Sequence, residues 1–159
     1  MIRSMPKLDL IFFRHGLADW PDWSKPDDER PLTRKGREET RKVAKYLAQL
    51  RVKPRKILTS PLPRASQTAQ IAAEHLKAPV ETTGKLSKSF TVRLLKEFVA
   101  GETETIMLVG HEPNFSQVIE ALTGGEIKLK KSGVARLTID PERMTGRLDW
   151  LLTPKNCRG

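Results

Sequence analysis

Three short apolar runs, separated by stretches with helical spacing, constrain the fold of this chain more than any other feature. They are Leu8–Phe13, Lys56–Thr59 and Thr105–Val109. Each has the length of a strand, and a continuous apolar run is typical of strands that are buried on both faces. Such strands need layers packed above and below them, which predicts mostly parallel strands connected by helices.

Four helices are predicted between and after these strands. Thr33 is placed to cap a helix that runs toward Leu50, whose apolar residues recur at helical spacing. The others are a helix from about Arg64 to Leu76, one within Lys85–Val99, and one over Pro113–Leu122 that Gly124-Gly125 closes.

The last part of the chain is predicted to form two strands with no helix between them. Val134–Ile139 and Leu148–Leu152 are predicted strands joined by a turn near Pro141–Gly146. Because the chain has 159 residues and no repeat or linker, we expect a single domain over residues 1–159. The predicted fold class is α/β: a three-layer α/β/α sandwich whose central sheet is mostly parallel, with antiparallel C-terminal strands.

Charged and imidazole side chains follow the ends of the three apolar runs. Arg14, His15 and Gly16 follow the first run, Arg64 comes shortly after the second, and His111 follows the third. Open α/β sheets bind ligands beyond the carboxyl ends of their strands. We therefore expect two histidines and two arginines from distant segments to meet at one rim of the sheet.

These residue types suit phosphoryl transfer. Guanidinium groups bind phosphoryl oxygens bidentately, and the N-terminal turn of the helix that holds Arg64 also favours an anion. A neutral imidazole can attack phosphorus and form a phosphohistidine. We expect His15 to be the nucleophile, with its pKa lowered by the nearby arginines, and His111 to stabilise charge on the phosphoryl oxygens. Gly16 is expected to let the ligand approach the backbone closely.

Two further residues are candidate substrate contacts with alternatives left open. Arg30 lies in the polar loop of residues 17–31, where it either contacts substrate or pairs with Asp27 or Asp28. Asn114 either lies at the pocket edge or caps a helix, and the same two alternatives apply to Glu112.

Four sequence segments occur in a fixed order: RHG (14–16), RPLTRKG (30–36), SPLPRASQTA (60–69) and VGHEPN (109–114); KKSGVARL (130–137) follows them. Together they resemble the histidine phosphatase superfamily, also called phosphoglycerate-mutase-like, and within it the short phosphohistidine phosphatases of the SixA type. The resemblance implies that His15 is phosphorylated, that Arg14, Arg64 and His111 complete the phosphate pocket, and that the family's α/β/α sandwich forms. It implies no metal and no organic cofactor.

The sequence departs from the larger members of this family at the general acid. Those relatives carry the acid in an insertion after the second helix, and this chain is short there. The remaining candidates are Asp19, Asp22, Asp27, Asp28 and Glu81, with none favoured. Because a protonated imidazole leaves phosphorus more readily than an alkoxide, a missing acid favours P–N over P–O substrates. The absence of a lid over the pocket suits a phosphohistidine carried on a protein.

Net charge leaves alternatives open for the partner. The chain has 29 Lys and Arg residues against 19 Asp and Glu residues, a net charge of +10, which attracts anions of several kinds. The partners expected are a phosphorylated protein or a small phosphorylated substrate, so hydrolysis of a small phosphomonoester is the alternative enzyme activity.

A basic nucleic-acid-binding domain is the alternative from another class, but aromatic residues are only 6% and no recognition motif is visible. Lys128, Lys130 and Lys131 either steer an acidic phosphoprotein or form a solvated edge.

The sequence favours a cytoplasmic protein without membrane association. Residues 1–7 lack the apolar stretch of a signal peptide, and no apolar run approaches the roughly 20 residues that span a bilayer. The lone Cys157 excludes an intrachain disulfide and a cysteine-based metal site.

Overall fold

A computed structural model describes residues 6–158, and it contains one six-stranded sheet in the order β3-β2-β4-β1-β5-β6. Residues 1–5 and residue 159 lie outside the described residues. Most of residues 1–7, for which no signal peptide is predicted, therefore lies outside them too. The strands are β1 (Leu8–Arg14), β2 (Lys56–Thr59), β3 (Val80–Thr82), β4 (Ile106–Gly110), β5 (Val134–Asp140) and β6 (Thr145–Leu152). β3, β2, β4 and β1 run parallel, whereas β5 is antiparallel to β1 and β6 is antiparallel to β5.

Helices cover both faces of this sheet. They are α1 (Arg34–Gln49), α2 (Pro63–Leu76), α3 (Val92–Val99) and α4 (Asn114–Thr123). As predicted, the hydroxyl of Thr33 caps α1 by accepting a hydrogen bond from the backbone N–H of Gly36 at 3.0 Å. Gly124 ends α4 in the left-handed conformation, with φ of 79°, which glycine adopts without steric cost.

Strand β1 divides the core into two halves. Its residues Leu10 and Phe12 pack with residues of α3 and α4, whereas Ile11 and Phe13 pack with residues of α1 and α2. Each of these side chains is almost fully buried, which contributes about 1.5–3 kcal/mol per side chain before the entropy cost of ordering. The three-layer sandwich and its mostly parallel sheet are therefore confirmed, and the single domain stays a prediction.

The register of the parallel strands places the predicted site residues at one edge. Arg14 pairs with Gly110 across β1 and β4, and Thr59 pairs with Val109 across β2 and β4. The residues that follow each strand, His15, Ser60 and His111, therefore leave the sheet side by side. The carboxyl edge of the sheet is where the chemistry was expected.

One strand was not predicted, and one helix occupies only the last part of the segment in which it was predicted. Strand β3 was not predicted, because it has only three residues and most of its side chains are exposed. Helix α3 begins only at Val92, where the hydroxyl of Thr91 caps it, and the preceding residues form a short 3-10 turn over Gly84–Leu86. Within residues 6–158, no helix has both the length and the apolar character needed to cross a bilayer. The cytoplasmic location stays a prediction.

Candidate active site

The four predicted catalytic side chains meet in one cleft at the carboxyl edge of the sheet. The cleft has a volume of about 620 Å³ and is open to solvent. It is lined by the four residues Arg14, His15, Arg64 and His111, together with Asp19, Arg30, Leu62, Lys88, Glu112, Pro113, Asn114 and Lys131. The chain brings these residues together from the carboxyl ends of β1, β2 and β4 with the segments that follow them, the segment between β3 and α3, and the segment before β5.

The ring of His15 is held by the backbone of the next residue. Its Nδ1 lies 2.7 Å from the carbonyl oxygen of Gly16. Because a carbonyl oxygen only accepts, Nδ1 carries the proton and Nε2 carries the lone pair. Among residues 6–158, Nε2 has no hydrogen-bond partner. The structure thus leaves the lone pair of a neutral imidazole unengaged in the cleft.

The pKa of His15 is strongly lowered, as expected, but the main cause differs from the expectation. Burial lowers it to about 3, because removing water disfavours the charged ring. The neighbouring His111, Arg64 and Arg14 add smaller effects in the same direction, and the hydrogen bond to Gly16 opposes them. His15 is therefore neutral at pH 7.

Gly16 is packed tightly in the turn after β1. Its backbone N–H donates to the hydroxyl of Thr68 at 3.0 Å. A Cβ at this position would lie 2.5 Å from Oγ1 of Thr40 and 2.9 Å from Oγ of Ser132. The glycine therefore allows the turn after β1 to pack against α1, and its carbonyl orients His15; close approach of a ligand at Gly16 stays a prediction.

The two arginines are anchored but keep donors free for an anion. Arg14 donates from Nη1 to the carbonyl of Leu129 at 2.9 Å, while its buried Nε has no partner within residues 6–158. Arg64 donates from Nη1 to the carbonyl of Asp27 at 3.2 Å. Since a guanidinium has five N–H donors, each arginine retains several for phosphoryl oxygens. The unpaired Nε of Arg14 is a buried donor that such an anion would satisfy.

His111 lies next to His15 in the cleft. The ring centroids of His15 and His111 are 5.2 Å apart and the rings are inclined by 53°. Nε2 of His111 is 2.8 Å from the hydroxyl of Ser60, which in turn accepts from the backbone N–H of Leu62. Burial lowers the pKa of His111 to about 4, with a further contribution from Arg64, so this ring is also neutral at pH 7.

Ser60 and Thr68 hydrogen-bond to predicted site residues, and the sequence did not single them out for this role. Thr68 accepts from the N–H of Gly16 and donates to the carbonyl of Arg64 at 2.8 Å, so one hydroxyl connects the nucleophile turn to α2. The signal was available, because Thr68 lies on the buried face of α2 among alanines, and a buried hydroxyl needs partners. Ser60 gave a weaker signal, since a serine before Pro61 is also typical of a turn.

Arg30, Asn114 and Glu112 lie at the edge of the cleft. Arg30 bonds to the carboxylates of Asp27 at 2.9 Å and Asp19 at 3.3 Å, so the ion-pair alternative holds even though its side chain also lines the cleft. Asn114 donates to the carbonyls of Lys88 and Phe90 and does not cap α4. Glu112 provides that capping interaction by accepting from the N–H of Ser116 at 2.8 Å.

The carboxylates of the cleft are engaged as acceptors. Lys131 and Arg30 hold the pKa of Asp19 below its ordinary value, and Glu112 accepts from both the N–H and the hydroxyl of Ser116. Just outside the cleft, Lys88 lowers the pKa of Asp28 in the same way. The remaining candidates for a general acid, Asp22, Asp27 and Glu81, are exposed and do not line the cleft.

The charge of the cleft suits a phosphoryl group. Its charged lining is mostly cationic: the positive side chains are Arg14, Arg30, Arg64, Lys88 and Lys131, and the acidic ones are Asp19 and Glu112. In the part of the chain that the structure describes, no cluster of three or more His, Cys, Asp or Glu side chains is placed to hold a metal ion.

Comparison with known proteins gives the same family that the motifs suggested. Residues 10–89 match the model of the histidine phosphatase superfamily (branch 1). An uncharacterized protein of Picosynechococcus sp. is 38% identical over 152 residues, which cover 89% of this chain and 92% of that protein.

Two further relatives are similar to almost the whole chain. The phosphohistidine phosphatase SixA of Escherichia coli (strain K12) is 28% identical over 159 residues, covering 95% of this chain and 97% of that protein. A solved structure of the protein histidine phosphatase SixA complexed with tungstate superposes with a TM-score of 0.84 at 28% identity, covering 94% of this chain and 99% of that one.

Proposed function

This chain belongs to the histidine phosphatase superfamily, whose fold and motifs support phosphatase activity, and we propose that it hydrolyses phosphohistidine on proteins through a phospho-His15 intermediate. One observation carries the proposal. A neutral imidazole with Nε2 unengaged lies in a cleft with a second imidazole and two guanidiniums. This combination provides a nucleophile and a site for the oxygens of a transferred phosphoryl group.

In the first step, Nε2 of His15 attacks phosphorus in line with the departing nitrogen. The new P–N bond forms to Nε2 while the bond to the substrate imidazole breaks. Positive charge develops on the His15 ring, and the carbonyl of Gly16, 2.7 Å from Nδ1, stabilises it by accepting the Nδ1–H. Arg14, Arg64 and an N–H of His111 bind the equatorial oxygens.

In the second step, water attacks the phosphorus of phospho-His15. The P–N bond breaks, inorganic phosphate leaves, and the proton of the water passes to phosphate or solvent. His15 retains its Nδ1–H through both steps, so no proton has to be moved onto or off the ring. The fixed tautomer therefore returns the nucleophile to its starting state directly.

Phosphohistidine fits this cleft better than an alkyl phosphate. The cleft carboxylates Asp19 and Glu112 are engaged as acceptors by Lys131 and Ser116, so neither is poised to protonate an alkoxide. A phosphorylated imidazole that carries a proton on its other nitrogen leaves as a neutral ring without that help. Similarity to the phosphohistidine phosphatase SixA of Escherichia coli, at 28% identity, supports the same substrate class, and the tungstate in the solved relative, a tetrahedral oxyanion, supports a phosphoryl site.

A protein substrate is supported by the openness of the cleft. The segment between α2 and α3, residues 77–91, contains only the short strand β3 and a 3-10 turn and provides no long lid. A histidine on the surface of a folded protein can therefore reach Nε2 of His15 without a large opening movement.

Steady-state kinetics on two substrate classes test the proposal. We expect kcat/KM for a phosphohistidine peptide to exceed that for p-nitrophenyl phosphate and sugar phosphates, and His15→Ala to abolish both activities. His75→Gln is the matched control, because His75 lies at the end of α2, bonds to the carbonyl of Ile71 and lies outside the cleft. A higher kcat/KM on a phosphomonoester would assign the enzyme to small phosphoesters instead.

A further inference from the structure

A second concave surface, which we call the lysine groove, adjoins the catalytic cleft. It has a volume of about 600 Å³. It is lined by Lys35, Lys128, Lys130, Lys131 and Lys155, together with Arg14, Leu17, Glu39, Thr153 and Pro154. Arg14 and Lys131 line both the groove and the catalytic cleft, so the two surfaces are continuous.

The charge of the lysine groove is almost entirely positive. Glu39 is the only acidic side chain among its lining residues. Lys131 pairs with Asp19 at 2.5 Å, but the other four lysines have no carboxylate partner within 4.0 Å among residues 6–158. Elsewhere on the surface, lysines such as Lys85 and Lys88 do pair with acidic residues. Unneutralised cations around one concave surface produce a field that attracts anions.

The backbone of the segment that carries Lys128, Lys130 and Lys131 is anchored to the turn that holds His15. Three hydrogen bonds anchor it: Arg14 N–H to the carbonyl of Gly133 at 3.0 Å, Ser132 N–H to the carbonyl of His15 at 3.1 Å, and Arg14 Nη1 to the carbonyl of Leu129 at 2.9 Å. Leu129 is fully buried between the exposed Lys128 and Lys130. The positive surface is therefore preorganised beside His15.

We propose that the lysine groove binds an acidic segment of the phosphoprotein substrate while the phosphohistidine occupies the catalytic cleft. This inference rests on the proposed function. The lysines come from three separate parts of the chain, namely α1, the segment before β5, and the 3-10 turn of Pro154–Asn156. Five lysines on one concave surface carry more positive charge than a single phosphate neutralises, which suits a chain segment with several carboxylates.

The expected effect is on substrate capture. Lys128, Lys130 and Lys155 line the groove and not the catalytic cleft, so they act on KM and on association and leave kcat unchanged. Attraction between exposed charges is screened over about 8 Å at physiological ionic strength, so the preference for acidic substrates should weaken as salt is added.

The test uses two synthetic peptides that carry the same phosphohistidine, one flanked by glutamates and the other by glutamines. The groove variant combines Lys128→Gln, Lys130→Gln and Lys155→Gln. The matched control combines Lys45→Gln, Lys53→Gln and Lys96→Gln, which removes the same charge from exposed positions outside both surfaces. Measuring kcat and KM separately distinguishes capture from chemistry.

At low salt we expect the natural protein to prefer the glutamate peptide, and the groove variant to lose about tenfold to a hundredfold in kcat/KM on that peptide alone. The control variant should stay within about twofold on both peptides. An equal loss in the groove and control variants would contradict the proposal, because it would assign the effect to net charge. An equal loss on both peptides would contradict it as well.

Binding of the unphosphorylated peptides to His15→Ala protein separates this inference from the proposed function. The glutamate peptide should bind and the glutamine peptide should not, whether or not phosphohistidine is the substrate. Addition of the three groove substitutions should abolish that binding. If single-stranded RNA of equal charge binds to the groove and the glutamate peptide does not, the acidic-segment proposal is wrong.

Discussion

The carbonyl oxygen of Gly16 lies 2.7 Å from Nδ1 of His15, so the residue that follows the nucleophile determines which ring nitrogen carries the proton. The arrangement is entirely local, since both atoms belong to the turn that leaves β1. Thr68 extends it by holding the N–H of Gly16, which links the turn to the helix that carries Arg64.

Removal of the Thr68 hydroxyl should lower both the stability of the protein and kcat. In Thr68→Val the N–H of Gly16 loses its acceptor, which we expect to cost about 1–3 kcal/mol in the free energy of unfolding. We also expect kcat to fall by about tenfold, because the ring of His15 loses its fixed orientation. Urea unfolding and steady-state kinetics measure the two effects. Thr68→Ser keeps the hydroxyl and should retain most of the activity; an equal loss in the serine variant would refute the hydrogen-bond explanation.

A side chain at position 16 should destabilise the protein. In Gly16→Ala the new Cβ would lie 2.5 Å from Oγ1 of Thr40, so the turn after β1 and α1 would have to separate. We expect a loss of about 1–3 kcal/mol in the free energy of unfolding together with reduced kcat. Adding Thr40→Ala removes that oxygen and should recover part of the stability. If Gly16→Ala unfolds at the same denaturant concentration as the natural protein, the packing argument fails.

The buried histidines should make stability depend on pH in the mildly acidic range. The pKa values of His15 and His111 are about 3 and about 4 in the folded protein, below the ordinary value of 6.5. Between these values the unfolded state binds more protons than the folded state, so stability is greatest above pH 6.5 and falls as the pH drops below it. Thermal unfolding from pH 7.5 to 5 measures this fall, in a range where ordinary carboxylates remain ionised in both states. Replacing both histidines by glutamine should flatten the profile, and an unchanged slope would show that other groups cause it.

Loss of the carboxylate at Glu112 should leave P–N hydrolysis nearly intact. The amide oxygen of glutamine can still accept from the N–H of Ser116, so Glu112→Gln preserves the cap of α4. We expect kcat on a phosphohistidine peptide to change by less than about threefold, because the substrate ring supplies its own proton. A loss of about a hundredfold or more would instead identify Glu112 as the general acid.

The positions of His15 and His111 could be predicted from the strand ends. The contacts that orient them could not, because they depend on how distant parts of the chain pack together. His15 and His111 follow buried apolar runs, and parallel strands bring their carboxyl ends to one edge. The contacts of Gly16 with Thr68 and Thr40 span 52 and about 24 positions along the chain, so sequence spacing carries no signal for them. The same is true of the lysine groove, where Lys35 and Lys155 join the segment before β5 only in the folded protein. Burial, the main cause of the lowered pKa of His15, is likewise a property of the whole fold.

Chemical identification of the intermediate tests the central claim most directly. The protein would be mixed with a labelled phosphoramidate or phosphohistidine peptide, quenched rapidly in alkaline detergent to preserve P–N bonds, and mapped by mass spectrometry and by antibodies specific for each phosphohistidine isomer. We predict label on Nε2 of His15, no label in His15→Ala, and normal labelling in His75→Gln. Label on Nδ1 or on another residue, or continued turnover by His15→Ala, would contradict this account.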